Sequence, residues 1–201
     1  MQLPSSLVLA TGNPGKVDEL RDLLADLTLT LIAASALDDP PTVVEDAETL
    51  DGNARKKALA FHKHTGHPAL ADDTGLEVAA LDGGPGVHTA RFAGPDATPD
   101  DNKHKLLAVM EDVDDRRARF RTVVALVDAH GTVHTFEGTC EGTITTEPRG
   151  DGGFGYDPLF LPDGYDQTFA EMPPETKNEI SHRRKALDAV RAFLIGAQEK
   201  T

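Results

Sequence analysis

Cysteine is nearly absent from this 201-residue chain, and its solitary Cys140 rules out an internal disulfide framework and any CxxC zinc or redox motif. A lone cysteine reads as a small buried apolar side chain and suits a reducing compartment. Cations are scarce too: 20 Lys and Arg face 34 Asp and Glu, a formal net charge of −14. A surface of that sign does not grip nucleic acid without regard to sequence, because phosphates require a basic face. Any phosphate bound here needs a local cationic site, with a metal beside it. Long apolar runs are also missing. No window approaches the roughly 18 apolar residues of a membrane span. The start, Met1-Gln2-Leu3-Pro4-Ser5-Ser6, has neither the basic nor the apolar region of a signal peptide. A soluble, cytoplasmic protein without a membrane partner is the expectation. The chain contains no Gly-x-Ser-x-Gly elbow and no His-Glu-x-x-His pair, so serine hydrolase and zinc protease chemistry have no footing. The acid excess suits a salt-rich cell interior, where surface carboxylates are screened, and equally an ordinary acidic protein.

What is present is an alternation of short apolar runs and helical periodicity. Leu7-Val8-Leu9-Ala10 reads as a buried strand that ends in Thr11-Gly12-Asn13-Pro14-Gly15, after which Val17, Leu20, Leu23, Leu24 and Leu27 recur at helical spacing. Leu29 to Ala33 predicts a second strand, Thr49 to His64 a helix, and Ala69-Leu70-Ala71 a strand running out into Asp72-Asp73-Thr74-Gly75. A Gly/Pro-rich loop from Asp82 to Pro95 precedes a helix from about Pro99 to Met110. Arg119 to Val127 and Thr132 to Cys140 then predict a hairpin around Asp128-Ala129-His130-Gly131. The last third holds a second Gly-rich loop, a short strand and a final helix opening near Glu175. Strands alternating with helices and then a hairpin imply an α/β fold with a mixed sheet. At roughly 100 to 200 residues per domain, and with no repeat or linker, the chain reads as a single domain, residues 1–201, divided at most into lobes.

Four segments carry chemistry. Thr11-Gly12-Asn13-Pro14-Gly15-Lys16 hands a strand over to a helix, with Asn13 as N-cap and Pro14 at the first helical position. Backbone N–H groups there, beside Lys16, suit an anion; the spacing is wrong for a Walker A loop, and a merely capped turn is the alternative. Gly150-Asp151-Gly152-Gly153-Phe154-Gly155 matches G-x-G-x-x-G but runs into Tyr156-Asp157-Pro158, where a dinucleotide fingerprint would open a helix. It is either a flexible hairpin loop or a ligand loop in which Phe154 and Tyr156 offer ring faces. Asp72-Asp73, at the expected end of a strand, with Glu45 and Glu48 in reach of the same region, offers the hard oxygens that Mg²⁺ takes beside a phosphorylated substrate. Successive strand residues point to opposite faces, so the two aspartates have different tasks, unless both belong to a solvated turn. Arg183 and Arg184 sit in the first turn of the last helix, where the helix dipole disfavours cations. An anionic ligand there, or pairing with surface carboxylates, accounts for them. His62 and His64 lie about 200° apart on a helix of 3.6 residues per turn, so with His67 they are not read as a metal site.

In order along the chain, Thr11 to Lys16, Glu45 with Asn53-Ala54 and Lys57-Ala58, Ala71-Asp72-Asp73-Thr74-Gly75-Leu76, Pro85 to Arg91, Gly152 to Pro158, and Lys177-Asn178 with Ser181-His182-Arg183 closely resemble the inosine/xanthosine triphosphate pyrophosphatase family. These pieces run from Thr11 to Leu187 at compatible spacing. The resemblance implies an elongated mixed sheet flanked by helices, with two lobes and a nucleotide cleft, and a homodimer. It also implies a Mg²⁺-dependent hydrolase that splits ITP, dITP or XTP between the α and β phosphorus atoms. Carried over residue by residue, Asp73 is the general base, and Glu45 with Asp72 or Asp73 holds Mg²⁺. Thr11, Gly12, Asn13, Pro14, Gly15, Lys16, Lys57 and Lys177 serve the phosphates. Phe154 stacks on the purine, and Thr74, Gly155, Tyr156, Asp157, His182 and Arg183 complete the substrate site, Arg183 as donor to a 6-keto oxygen.

The chain departs from the family pattern at a few positions. Thr74 stands for a usual Ser, His88 and Phe92 for usual Tyr, and Leu50 for a common Phe, and none of these removes a proposed catalytic group. Two other functions fit the same residues: a related pyrophosphatase acting on other modified nucleotides, and a non-catalytic nucleotide-binding module.

Overall fold

The computed structural model describes residues 4–198, and within them the side chains of all but residues 14, 19, 197 and 198. A seven-stranded sheet runs through it. In chain order the elements are β1 (Ser6–Leu9), α1 (Pro14–Leu23), β2 (Thr30–Ala33), α2 (Leu50–Thr65), β3 (Ala69–Val78), β4 (Pro85–Gly86), α3 (Pro99–Val109), β5 (Arg117–Val127), β6 (Val133–Ile144), β7 (Phe160–Pro162), α4 (Pro174–Ile180) and α5 (His182–Gln198). The strand order is β2-β1-β3-β5-β6-β7, with β4 paired to β3. β1 is parallel to β2 and to β3, whereas β4 is antiparallel to β3 and β7 to β6, so the sheet is mixed as expected. Two compact units make up the chain. The first takes the chain up to Asp73, Val123–Glu137 and the chain from Lys185 onwards; the second takes Thr74–Thr122 and Gly138–Arg184.

In the first unit, parallel neighbours require helical crossovers, and α1 and α2 supply them. β1 is buried on both faces, which is why its sequence is an unbroken apolar run; Leu7, Val8 and Leu9 have no exposed surface. The Asn13 side chain accepts a hydrogen bond from Gly15 N with Pro at the first turn, and α2 starts the same way, with Thr49 accepting from Gly52 N. α2 ends at Gly66, whose φ of 70° needs a residue without Cβ. Leu7, Leu9, Val17, Leu20, Leu24 and Leu70 pack with Val124, Leu126, Leu187, Val190 and Leu194 into an aliphatic core.

The second unit has a different interior: Leu76, Leu106, Met110, Phe120, Ile144, Tyr156, Phe160, Phe169 and Met172. Phe120 meets Phe160 edge to face at 4.7 Å between ring centroids and stacks on Phe169 at 6.0 Å. α3 opens with a reciprocal capping box between Thr98 and Asp101. At Gly142 the backbone of β7 comes so close that a Cβ would lie 2.4 Å from Leu161 O.

Two elements differ from the sequence reading. β3 does not stop at Ala71 but continues to Val78, because Leu76 and Glu77 pair with β4, so Asp72 and Asp73 are interior strand residues. The predicted last helix is two helices. Ser181 adopts extended geometry, ψ 151°, and its Oγ accepts from Arg184 N, so it ends α4 and caps α5.

Candidate active site

In the first unit the charged side chains converge at the middle of β3. Pleating sends Asp72 and Asp73 to opposite faces, and their partners differ accordingly. Asp72, 7% exposed, holds Lys16 with 2.7 Å between Oδ2 and Nζ. Asp73 meets α2: Asn53 Nδ2 donates to its Oδ2 at 3.2 Å, and Lys57 Nζ lies 3.7 Å from its Oδ1. The same Lys57 ammonium donates to Glu45 Oε2 at 2.9 Å, and Asn53 Oδ1 accepts from Ala47 N at 3.0 Å. Glu45 stays partly exposed, but Asp72, Asp73, Lys16 and Lys57 are largely buried, and burying such charges is costly unless they are paired, as each of these is. Asn13 N donates to Thr11 Oγ1 at 3.2 Å, so the loop before α1 is held by its own side chains. The side chain of Pro14 lies outside the described residues.

These groups bear on a metal. Among the described residues no three His, Cys, Asp or Glu side chains gather around one point. Glu45 and Asp73 instead flank one cationic position, the Lys57 ammonium. Two carboxylates around a cation fit Mg²⁺, which takes one or two protein carboxylates and completes its shell with water and phosphate oxygens. Asp72, engaged with Lys16, stands apart from that pair.

In the second unit the Gly-rich loop is built around Asp157. This residue is 3% exposed, and its Oδ2 accepts from Phe154 N at 2.7 Å and from Lys177 Nζ at 2.6 Å. Gly153 makes the wrap possible: its φ is +70°, and a Cβ there would sit 2.1 Å from Asp157 Oδ2. Phe154 is thereby left 59% exposed, with Lys177 Nζ 4.9 Å and Arg183 Cζ 5.8 Å from its ring centroid. Of the two rings expected to offer a face, only Phe154 does. Tyr156 is packed in the aromatic core, its hydroxyl donates to Thr89 O at 3.0 Å, and burial pushes its pKa well above the usual phenol value, so it stays protonated. His182 stacks on Phe120 at 4.8 Å, while Thr74 and Thr122 share a hydroxyl hydrogen bond of 2.7 Å. His182 and Arg183 are buried and held by other contacts, and within them His182 Nδ1 and Arg183 Nε hydrogen-bond to no protein group.

The sequence reading thus named members of two clusters, Glu45, Lys57 and Asp73 in one unit and Phe154, Asp157, Lys177 and Arg183 in the other. It gave no role to Asn53, Thr89, Phe120 or Thr122. Helix propensity singles none of them out, since Gly52 beside Asn53 is a still poorer helix former.

The model of the Ham1 family matches residues 7–193. A dITP/XTP pyrophosphatase of Porphyromonas gingivalis is 50% identical over 193 residues, 96% of this chain and 98% of that protein. One of Desulforamulus reducens is 52% identical over 183 residues, 90% and 91% of the two chains. The structure of a HAM1 protein from Coxiella burnetii superposes with a TM-score of 0.91 at 40% identity, covering 98% of this chain and all of that one.

Proposed function

This chain belongs to the Ham1 family, and on that premise we propose that it is a nucleoside triphosphate pyrophosphatase. It hydrolyses the non-standard purine nucleotides ITP, dITP and XTP to the monophosphate and pyrophosphate, and so clears them from the nucleotide pool. The observation that carries this reading is the grouping in one unit of Asp73, Glu45, Lys57, Asp72 and Lys16, carboxylates and ammonium groups engaged with one another. A pure binder of an anionic ligand gains little from so many carboxylates, whereas hydrolysis of an anionic triphosphate requires a base among cations.

Asp73 takes a proton from the attacking water as its oxygen adds to the α-phosphorus, and the bond from that phosphorus to the bridging oxygen breaks with pyrophosphate as leaving group. Lys16, Lys57 and Lys177, with the loop Thr11 to Gly15, meet the phosphate oxygens. Glu45 and Asp73 would hold Mg²⁺, which when bound neutralises phosphate charge and polarises the phosphoryl oxygens. The exposed Phe154 ring stacks on the purine. Arg183 donates to the 6-keto oxygen that hypoxanthine and xanthine carry and adenine lacks, and Thr74, Gly155, Tyr156, Asp157 and His182 shape the rest of the substrate site. The enzyme acts as a homodimer in the cytoplasm; among the described residues no helix is long and apolar enough to cross a membrane.

The test is a parallel assay of dITP, XTP, dGTP and dATP with Mg²⁺ that resolves pyrophosphate from orthophosphate. Rapid pyrophosphate release from dITP and XTP alone is the expected outcome. Orthophosphate release would mean cleavage at the γ-phosphorus, and binding without release would mean a non-catalytic module.

A further inference from the structure

The fourth residue of α2 is an asparagine with 1% of its surface exposed. Asparagine is a poor helix former because its side chain competes for backbone hydrogen bonds, and a buried amide is costly unless both of its ends are satisfied. Both ends are in use. A backbone N–H can only donate and a carboxylate only accept, so the partners dictate the orientation: Oδ1 takes Ala47 N at 3.0 Å and Nδ2 faces Asp73 Oδ2 at 3.2 Å. One helical turn on, on the same face, Lys57 reaches the other oxygen of that carboxylate at 3.7 Å and also Glu45 Oε2 at 2.9 Å. One face of α2 therefore grips Asp73 at both oxygens, and each grip also ties down the segment Glu45 to Ala47. That segment lies within residues 38–49, which form no helix or strand, so side-chain ties of this kind are what place Glu45.

The two grips are not equivalent. An ammonium group drawn to an arriving triphosphate must slacken its hold on Glu45 and Asp73. A neutral amide has no such competing attraction. We propose that Asn53 is the positioning residue that keeps the Asp73 carboxylate in place when Lys57 turns to the phosphates, with Lys57 as the exchangeable grip on that carboxylate and Asn53 the permanent one. This rests on Asp73 being the base and Lys57 a phosphate contact.

The decisive variant is Asn53→Asp, which keeps size and the oxygen facing Ala47 N but replaces the donor to Asp73 with an acceptor. Circular dichroism and thermal unfolding establish that it is folded, which keeps the test usable if Asn53→Ala does not fold. Supporting groups of this kind typically carry about 10- to 100-fold of activity, and a loss of that size in kcat on dITP is expected with KM within about twofold, whereas Lys57→Met raises KM. A kcat within twofold of the parent, or a rise in KM with kcat spared, overturns the proposal. A second readout needs no turnover: the Asn53 side-chain amide of the full chain, followed by ¹⁵N NMR. Its protons are expected to be protected from solvent exchange, to stay so when Mg²⁺ and a non-hydrolysable α,β-imido analogue of dITP are added, and to lose protection in Asp73→Ala. Protection lost on adding the analogue, or unchanged in Asp73→Ala, overturns it. If the unaltered protein releases no pyrophosphate, the assignment of Asp73 as base fails by itself, and the amide signal still decides whether Asn53 holds that carboxylate.

Discussion

The main cluster of the first unit is leucine and valine, with Phe136 and Phe193 at its margin and Phe61 of α2 buried besides, whereas the second packs Phe120, Tyr156, Phe160 and Phe169 against Met110 and Met172. The chemistry each presents follows from that difference. Strands buried on both faces by aliphatic side chains are stiff platforms, and from β3 one carboxylate goes to each face, each to its own lysine. The aromatic unit instead holds rings: His182 lies flat on Phe120, and the Asp157 wrap leaves Phe154 standing outward beside two cations. Both units hold ion pairs, Asp157 with Lys177 in the second, but the exposed ring is offered where the interior is itself made of flat side chains.

This division can be tested from either side. The largest effect is expected in the first unit: Asp73→Asn removes the base and should lower kcat by about 10²- to 10⁴-fold while nucleotide still binds, as equilibrium binding of dITP would show. Normal turnover in that variant would take Asp73 out of the base role and with it the catalytic half of the comparison. In the second unit, Phe154→Ala removes a stacking face worth about 1 to 3 kcal/mol per base. It should weaken dITP binding roughly 5- to 150-fold with little change in kcat, and an unchanged KM would mean that the exposed ring does not meet the base. Arg183→Ala, beside the same ring, should narrow the ratio of kcat/KM for dITP over dATP. A ratio that stays put would move base selection to another residue.

The smallest expected effect lies at the turn between β5 and β6, far in character from either cluster. Burial pushes the Asp128 carboxyl up, but donation from the His134 ring and the His130 and Thr132 amides outweighs it and holds the pKa below the usual 3.8. A depressed carboxylate stabilises the fold above its ordinary pKa, and that contribution disappears as the pH falls through the lowered value. The melting temperature of Asp128→Asn should therefore lie below the parent's at pH 7 and approach it below about pH 3.8. A gap that is constant with pH would mean that the carboxylate charge contributes nothing.

Much of this arrangement is legible in the chain. The apolar run Leu7-Val8-Leu9 and the capping chemistry at Asn13 are local signals, and each produced the local structure it predicts, whereas Asp157 ahead of Pro158 opens a 3-10 turn in place of the expected extended geometry. Local signals stop where partners are distant. Nothing near Asp72 says that β3 continues, because the continuation depends on pairing with Pro85–Gly86 across a loop. Nor does the pair Phe154 and Tyr156 say which ring turns outward, since that is settled by the aromatic core and by Thr89 O, far along the chain. Asn53 stands in the chain only as part of the segment Asn53-Ala54, and its role depends on Ala47 and Asp73 arriving at its two ends.

By itself the sequence determined the α/β class, the caps and turns, the identity of the charged and aromatic segments, and through their order the family, because these rest on the residue's own chemistry and on neighbours within a helical turn or a strand pleat. Only the tertiary structure decided that Asp72 belongs to Lys16 and Asp73 to Lys57 and Asn53, that Glu45 shares the Lys57 ammonium, and that Phe154 is exposed while Tyr156 is buried. Pairings between residues tens of positions apart are set by which elements pack together, and a carboxylate carries no local mark of the cation it will meet.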